Sequence, residues 1–156
     1  MAIAIGCDEA AFELKEAVRR MLEADGHAVE DFGTFENRPV LYPGIAYAVS
    51  RSIVDGRNDR GILFCGTGIG MAISANKVPG IRAAQAHDTY SAERARKSND
   101  AQIVTIGARV VGPELAKSIV RSFLSSEFEA GRSVAKVEGM KAIERGEVPA
   151  VTEEAA

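Results

Sequence analysis

Short apolar runs alternate with helical patterns along this chain, and that alternation restricts its fold more than any other feature. Five runs rich in Ile and Val, Ala2 to Cys7, Ala28 to Phe32, Gly61 to Cys65, Ile81 to Ala86 and Gln102 to Gly107, each have the length of a buried strand. Between them, Glu9 to Asp25 puts Phe12, Leu14, Val18, Met21 and Leu22 on one broad face, and Gly26 follows as a stop. Pro43 opens the next helix, which ends near Gly56. Further helices fit Ile69 to Lys77, Thr89 to Ser98, Pro113 to Ser126 and Val134 to Arg145. Strand and helix in repeated order predict a parallel sheet with right-handed crossovers. The expectation is an α/β three-layer, Rossmann-like sandwich, its five-stranded parallel sheet ordered 2-1-3-4-5 with helices on both faces. A chain of 156 residues suits one domain, here 1–147, and the small acidic tail 148–156 is expected to be loose.

Composition narrows the function. With 46% hydrophobic residues, 26% charged and a formal charge of -3, the chain reads as globular, with no basic surface for nucleic acid. No apolar run approaches the eighteen or so residues a membrane span requires, and the chain opens on a strand-like Ala-Ile-Ala-Ile, so a cytoplasmic location is expected. Cys7 and Cys65 are too few for a disulfide framework. His27 and His87 stand apart from each other and from any acidic or Cys cluster, which argues against a metal site. Chemistry by side chains alone, with no cofactor, is the expectation.

In the order 2-1-3-4-5 a ligand crevice opens outside the carboxyl ends of strands 1 and 3. Strand 1 runs into Gly6-Cys7-Asp8-Glu9, and strand 3 into Cys65-Gly66-Thr67-Gly68-Ile69-Gly70 ahead of a helix. Three alternate glycines let the backbone turn tightly and aim several N–H groups at one small volume that suits negative charge. Beside Cys65, that field favours the thiolate and would also hold an enediolate oxygen. A phosphate-binding turn beside a buried cysteine accounts for the same residues. A dinucleotide site fits worse, since the first turn has one glycine and two carboxylates where a pyrophosphate needs a glycine loop.

These residues resemble a known family: type B ribose-5-phosphate isomerases with their galactose-6-phosphate and erythrulose-4-phosphate isomerase relatives. The resemblance spans nearly the whole chain. It is carried by Gly6-Cys7-Asp8, by Cys65 to Gly70, by Ala75-Asn76-Lys77-Val78-Pro79-Gly80-Ile81-Arg82-Ala83, by Tyr90-Ser91-Ala92, by Asn99-Asp100 and by Gly107-Ala108-Arg109-Val110-Val111-Gly112. It implies a cofactor-free aldose–ketose isomerase of a small sugar phosphate, with Cys65 as the base that shuttles a proton between C1 and C2. The amides from Gly66 through Gly68 and Ile69 to Gly70 would hold the enediolate. Asp8 and Asn99 would bind substrate hydroxyls, and Arg109, Arg132 and Lys136 would clamp the phosphate. The family's site is made by two subunits, so a homodimer or dimer of dimers is implied.

Two departures bear on the substrate. Members that act on cyclic sugars carry a ring-opening histidine where this chain has Ser98, leaving Ser98, Thr67 or His87 as the groups from which an acid could act. A tetrose 4-phosphate cannot close a five-membered ring through its blocked oxygen, which makes erythrulose or erythrose 4-phosphate the leading substrate. Ribose 5-phosphate, a hexose 6-phosphate or a free rare sugar are the alternatives. Glu9 stands where ribose-phosphate enzymes have a histidine near the phosphate, and there it would read a hydroxyl or block longer sugars. Lys136 replaces an arginine, a point charge in place of a fork. A sugar-phosphate sensor without turnover and a flavodoxin-like nucleotide module remain as readings from other classes. Plainer roles compete at single positions. Cys7 suits core packing, His87 a loop held by the Asp88 cap, and Arg132 with Lys136 an exposed basic edge.

Overall fold

A computed structural model describes residues 1–152. Strands β1 (Ala2–Cys7), β2 (Ala28–Asp31), β3 (Arg60–Cys65), β4 (Ala83–Gln85) and β5 (Ile103–Gly107) alternate with α1 (Phe12–Ala24), α2 (Tyr42–Val54), α3 (Ile69–Asn76), α4 (Thr89–Lys97), α5 (Pro113–Leu124) and α6 (Ser133–Glu144). The first helix starts later than its periodicity suggests. Asp8 accepts the N–H of Ala10 and caps a separate 3-10 turn, Glu9–Ala11, before α1 begins. The tail expected over 148–156 falls partly outside the described residues. Residues 148–152 run beside α6, where a Cβ on Gly139 would stand 3.7 Å from Pro149 Cβ.

All pairings are parallel, as expected, but the order is β2-β1-β3-β5-β4. The expected 2-1-3-4-5 is thus corrected at one edge. The chain β3-α3-β4 skips a place, and β5 returns to fill it between β3 and β4. Burial gives the reason. Every residue of β5 is buried, as a central strand requires, whereas three-residue β4 is half-exposed and suits an edge. Handedness follows the same rule. A right-handed crossover that returns toward the centre must carry its helix on the opposite face, and α4 accordingly packs with α1 and α5 rather than with α2 and α3.

Two cores result. Ile3, Ile5, Ile62, Phe64, Val104 and Ile106 face α1, α4 and α5, while Ala4, Leu63 and Cys65 face α2 and α3. One charge is enclosed with the first layer. Lys15 on α1 is 0% exposed, its Nζ 2.6 Å from Asp31 Oδ2 and donating to the Thr34 carbonyl at 2.8 Å, with the rings of Phe12 and Phe35 over it. These bonds tie the end of β2 and the segment after it to α1. Lys15→Met should destabilise the fold by about 3 kcal/mol, because it strands the Asp31 carboxylate; urea unfolding reads the loss directly.

Candidate active site

The chain after β1 leaves for the opposite face from the chain after β3, and the chain after β5 leaves opposite to that after β3 as well. Adjacent strands with diverging connections open a crevice at their carboxyl ends. The end of β3 is therefore flanked by two such crevices. Asp8 and Glu9 come from the β1 side, Cys65 through Gly70 from the centre, and Arg109 from the β5 side.

The central turn is shaped by Gly68, whose φ of +79° is left-handed and would strain a residue with a side chain by about 1 kcal/mol or more. That bend brings the Gly68 N–H to the Cys65 sulfur, donating at 3.1 Å, while Cys65 itself is 5% exposed. That sulfur thus accepts from the N-cap residue of α3. Ile69 N–H donates to Thr67 Oγ1 at 3.3 Å, and among the described residues the N–H groups of Thr67 and Gly70 have no acceptor. Cys7 is different. Burial pushes its thiol up to about 12, so it remains a protonated packing group.

The end of β5 lies against this turn. Ala108 N–H donates to the Cys65 carbonyl at 2.9 Å and Arg109 N–H to that of Gly66 at 3.0 Å. A Cβ on Gly107 would sit 2.7 Å from the Thr67 backbone, and one on Gly66 would sit 3.5 Å from Arg109 Nη1. Among the described residues no carboxylate pairs with Arg109. Edge strand β4 and the segment after it add two props. Gln85 Nε2 donates to the Thr67 carbonyl at 2.7 Å, and His87 Nε2 accepts the Gly107 N–H at 2.9 Å. An accepting nitrogen carries no proton, so a neutral His87 has only Nδ1 left as a donor. From α2, Tyr42 covers Gly70, where a Cβ would meet its hydroxyl at 2.5 Å. Neither Gln85 nor Tyr42 was signalled by the sequence, since both act through tertiary approach alone.

Asp8 reaches the same crevice. Its N–H donates to the Phe64 carbonyl at 3.2 Å, and its carboxyl is raised from the usual range by burial first and then by the charge of Glu9, against the pull of the Ala10 and Ala11 amides and Arg109. Glu9 turns partly away, with Oε2 accepting the Val40 N–H at 3.2 Å.

The remaining predicted residues do not come to this edge. Ser98 caps the far end of α4 and accepts from Arg94, and Asn99 follows it into the turn before β5. Four residues of β5 separate that turn from Cys65, roughly 13 Å of strand. Arg132 and Lys136 are exposed at the start of α6. That segment is tied to the amino edge of the sheet at both ends, through Glu129 N–H to the Lys97 carbonyl and Gly80 N–H to Glu144. Cys65, Thr67, Asp8 and Arg109 thus form one group, and Ser98, Asn99, Arg132 and Lys136 another at the opposite edge.

Residues 3–140 match the ribose/galactose isomerase family. The chain belongs to this family. It is an isomerase, 57% identical over 145 residues to a ribose-5-P isomerase B of Listeria innocua, covering 93% of this chain and 98% of that one. It is also 56% identical over 141 residues to the D-erythrulose-4-phosphate isomerase of Pectobacterium atrosepticum, covering 88% and 91%. Among solved structures, ribose-5-phosphate isomerase B of Clostridium thermocellum superposes with a TM-score of 0.92 at 44% identity, covering 94% and 99%. Among the described residues no three His, Cys, Asp or Glu side chains converge as metal ligands, and no helix is long and apolar enough to cross a membrane.

Two outcomes follow from the geometry of this isomerase. Gly107→Ala should push the turn off Cys65 and lower kcat/KM by about a hundredfold, the order expected for a displacement near 1 Å, with little change in secondary structure by circular dichroism. Glu9→Gln keeps an acceptor for Val40 but removes a charge that raises Asp8. The Asp8 carboxyl should then ionise at lower pH, and the acid limb of kcat/KM should move down the pH scale.

Proposed function

We propose that this isomerase interconverts a small phosphorylated aldose and ketose through a cis-enediolate, with Cys65 as base and erythrulose or erythrose 4-phosphate as its leading substrate. The observation that carries the reading is the Gly68 N–H on the Cys65 sulfur at the mouth of the glycine turn. As a thiolate, Cys65 removes the proton from the carbon next to the carbonyl and returns it to the former carbonyl carbon, while the hydroxyl proton passes from the neighbouring oxygen, which becomes the new carbonyl, to the old carbonyl oxygen. The open N–H groups of Thr67 and Gly70 suit the oxygen that becomes negative between those steps. Asp8 accepts from a substrate hydroxyl, and the unpaired Arg109 lies where charge on the substrate can reach it. The Thr67 hydroxyl, which accepts from Ile69, keeps its own hydrogen to donate.

Ser98 supports the four-carbon substrate, because its hydroxyl, engaged by Arg94, offers no imidazole for opening a ring. The D-erythrulose-4-phosphate isomerase of P. atrosepticum is similar over most of this chain. Ribose 5-phosphate is the second reading, favoured by the equally similar L. innocua enzyme.

The phosphate grip and Asn99 come, in this proposal, from a second copy of the chain. Arg132 and Lys136, one turn apart and exposed, present two cations away from their own Cys65. Exposed Leu41, Ile69, Ile73 and Tyr90 offer apolar surface near the candidate site for the partner to cover. A homodimer or dimer of dimers would then hold paired sites at its interface.

Two variants test this together. Cys65→Ala and Asn99→Ala should each lose at least about a hundredfold in kcat on erythrulose 4-phosphate, the lower end for a lost base. Dissociated, mixed and reassociated, the two should regain activity, since a mixed dimer has one site with both native halves. An active Cys65→Ala overturns the base, and no recovery on mixing overturns the shared site. A higher kcat/KM on ribose 5-phosphate overturns the substrate.

A further inference from the structure

The segment leaving α4 bends sharply to enter β5, and Asp100 at the bend has a φ of +47°, left-handed for a residue with a side chain. Such a conformation costs about 1 kcal/mol or more and persists only where neighbours enforce it. Here two arginines enforce it. Arg96 Nη1 donates to Asp100 Oδ1 at 3.0 Å, and Arg82 Nη2 donates to Oδ2 at 3.2 Å. The same guanidinium groups take the carbonyls of the turn. Arg82 Nε donates to the Asn99 carbonyl at 3.1 Å, Arg82 Nη2 to that of Asp100 at 2.9 Å, and Arg96 Nη1 to that of Ala101 at 2.8 Å. Asp100 N–H closes the bend on the Arg96 carbonyl at 3.1 Å.

These anchors are themselves fixed. Arg96 is 3% exposed, and Arg82 is held by its own N–H on Gln102 Oε1 at 2.8 Å. One side chain in the turn is left over. Asn99 is exposed, and its amide has no partner among the described residues. The turn's carboxylate and three successive carbonyls are all bound by the two guanidinium groups, which fixes the backbone from which the exposed Asn99 side chain projects.

We infer that Asp100 is a positioning residue, clamped by Arg82 and Arg96 so that Asn99 is presented to a substrate held in the site of a second copy. This rests on the assignment of Asn99 to substrate binding made above. Asp100 touches no substrate, and its whole effect passes through Asn99. A lysine at either arginine position would keep the charge but lose the fork that binds a carboxylate and a carbonyl together.

A double-mutant cycle separates positioning from mere support of the fold. Kinetic constants on the sugar phosphate that the enzyme turns over, with melting temperatures, are measured for Asp100→Ala, Asp100→Asn, Arg82→Lys, Asn99→Ala and the double variant Asn99→Ala with Asp100→Ala. Asp100→Ala should lose at least tenfold in kcat/KM. The double variant should be no worse than Asn99→Ala alone. Asp100→Asn should recover most of the loss, because asparagine adopts the left-handed conformation and keeps an accepting oxygen. If Asp100→Ala does not fold, Arg82→Lys, which leaves the Arg96 pair intact, should still lower kcat/KM severalfold. Losses that multiply in the double variant, or a folded Asp100→Ala within twofold of the parent, overturn the inference while leaving Asn99 in place. A fully active Asn99→Ala overturns the assignment of Asn99 and the inference with it.

Discussion

The end of β5 meets the turn after β3 backbone against backbone, and no side chain fits between them. A Cβ on Gly107 would stand 2.7 Å from Thr67, and one on Gly68 would stand 3.1 Å from the backbone of Ile106. Because these chains touch, the Ala108 and Arg109 amides can bind the carbonyls of Cys65 and Gly66, and the guanidinium of Arg109 can lie over the turn. Gln85 at the end of the edge strand and His87 just beyond it then lock the arrangement. The amide on the Cys65 sulfur is the product of this packing rather than of the glycine loop alone.

The strand order makes the contact possible. Had β4 stood beside β3, Arg109 would have been one strand farther from Cys65, and the left-handed turn would have lacked its floor. The return of β5 to the centre therefore serves the core and the site at once. It buries Ile103, Val104 and Ile106 on both faces, and it delivers a cation to the candidate anion-binding turn.

The elements were legible because Ile- and Val-rich runs and amphipathic stretches carry period and length in the sequence itself. The order was not, since period does not say which strand is the edge. A hint existed in the polar residues Arg82 and Gln85 against the largely apolar run of Ile103 to Gly107, broken only by Thr105. Cys65 and the three glycines could be read because a left-handed turn before a helix leaves a glycine signature. Tyr42, Gln85 and the clamp on Asp100 left none, because each depends on an approach between segments far apart in the chain. Lys15 was hidden for a similar reason. A lysine in an amphipathic helix reads as solvated until Asp31, Thr34, Phe12 and Phe35 close around it.

Of the residues in α6, only Val137 is buried. Arg132 and Lys136 therefore sit on a helix whose outward positions can change with little penalty to the fold, since surface substitutions usually shift stability by no more than about 0.5 kcal/mol. The turn at Cys65 has no such freedom, being wedged against β5. Evolution can thus vary the two ends of the chain's chemistry at different speeds. On the roles proposed above, bond-making geometry is frozen in the core, while the face offered to the far end of a sugar is free to drift, so that new substrates could be acquired without rebuilding the turn at Cys65.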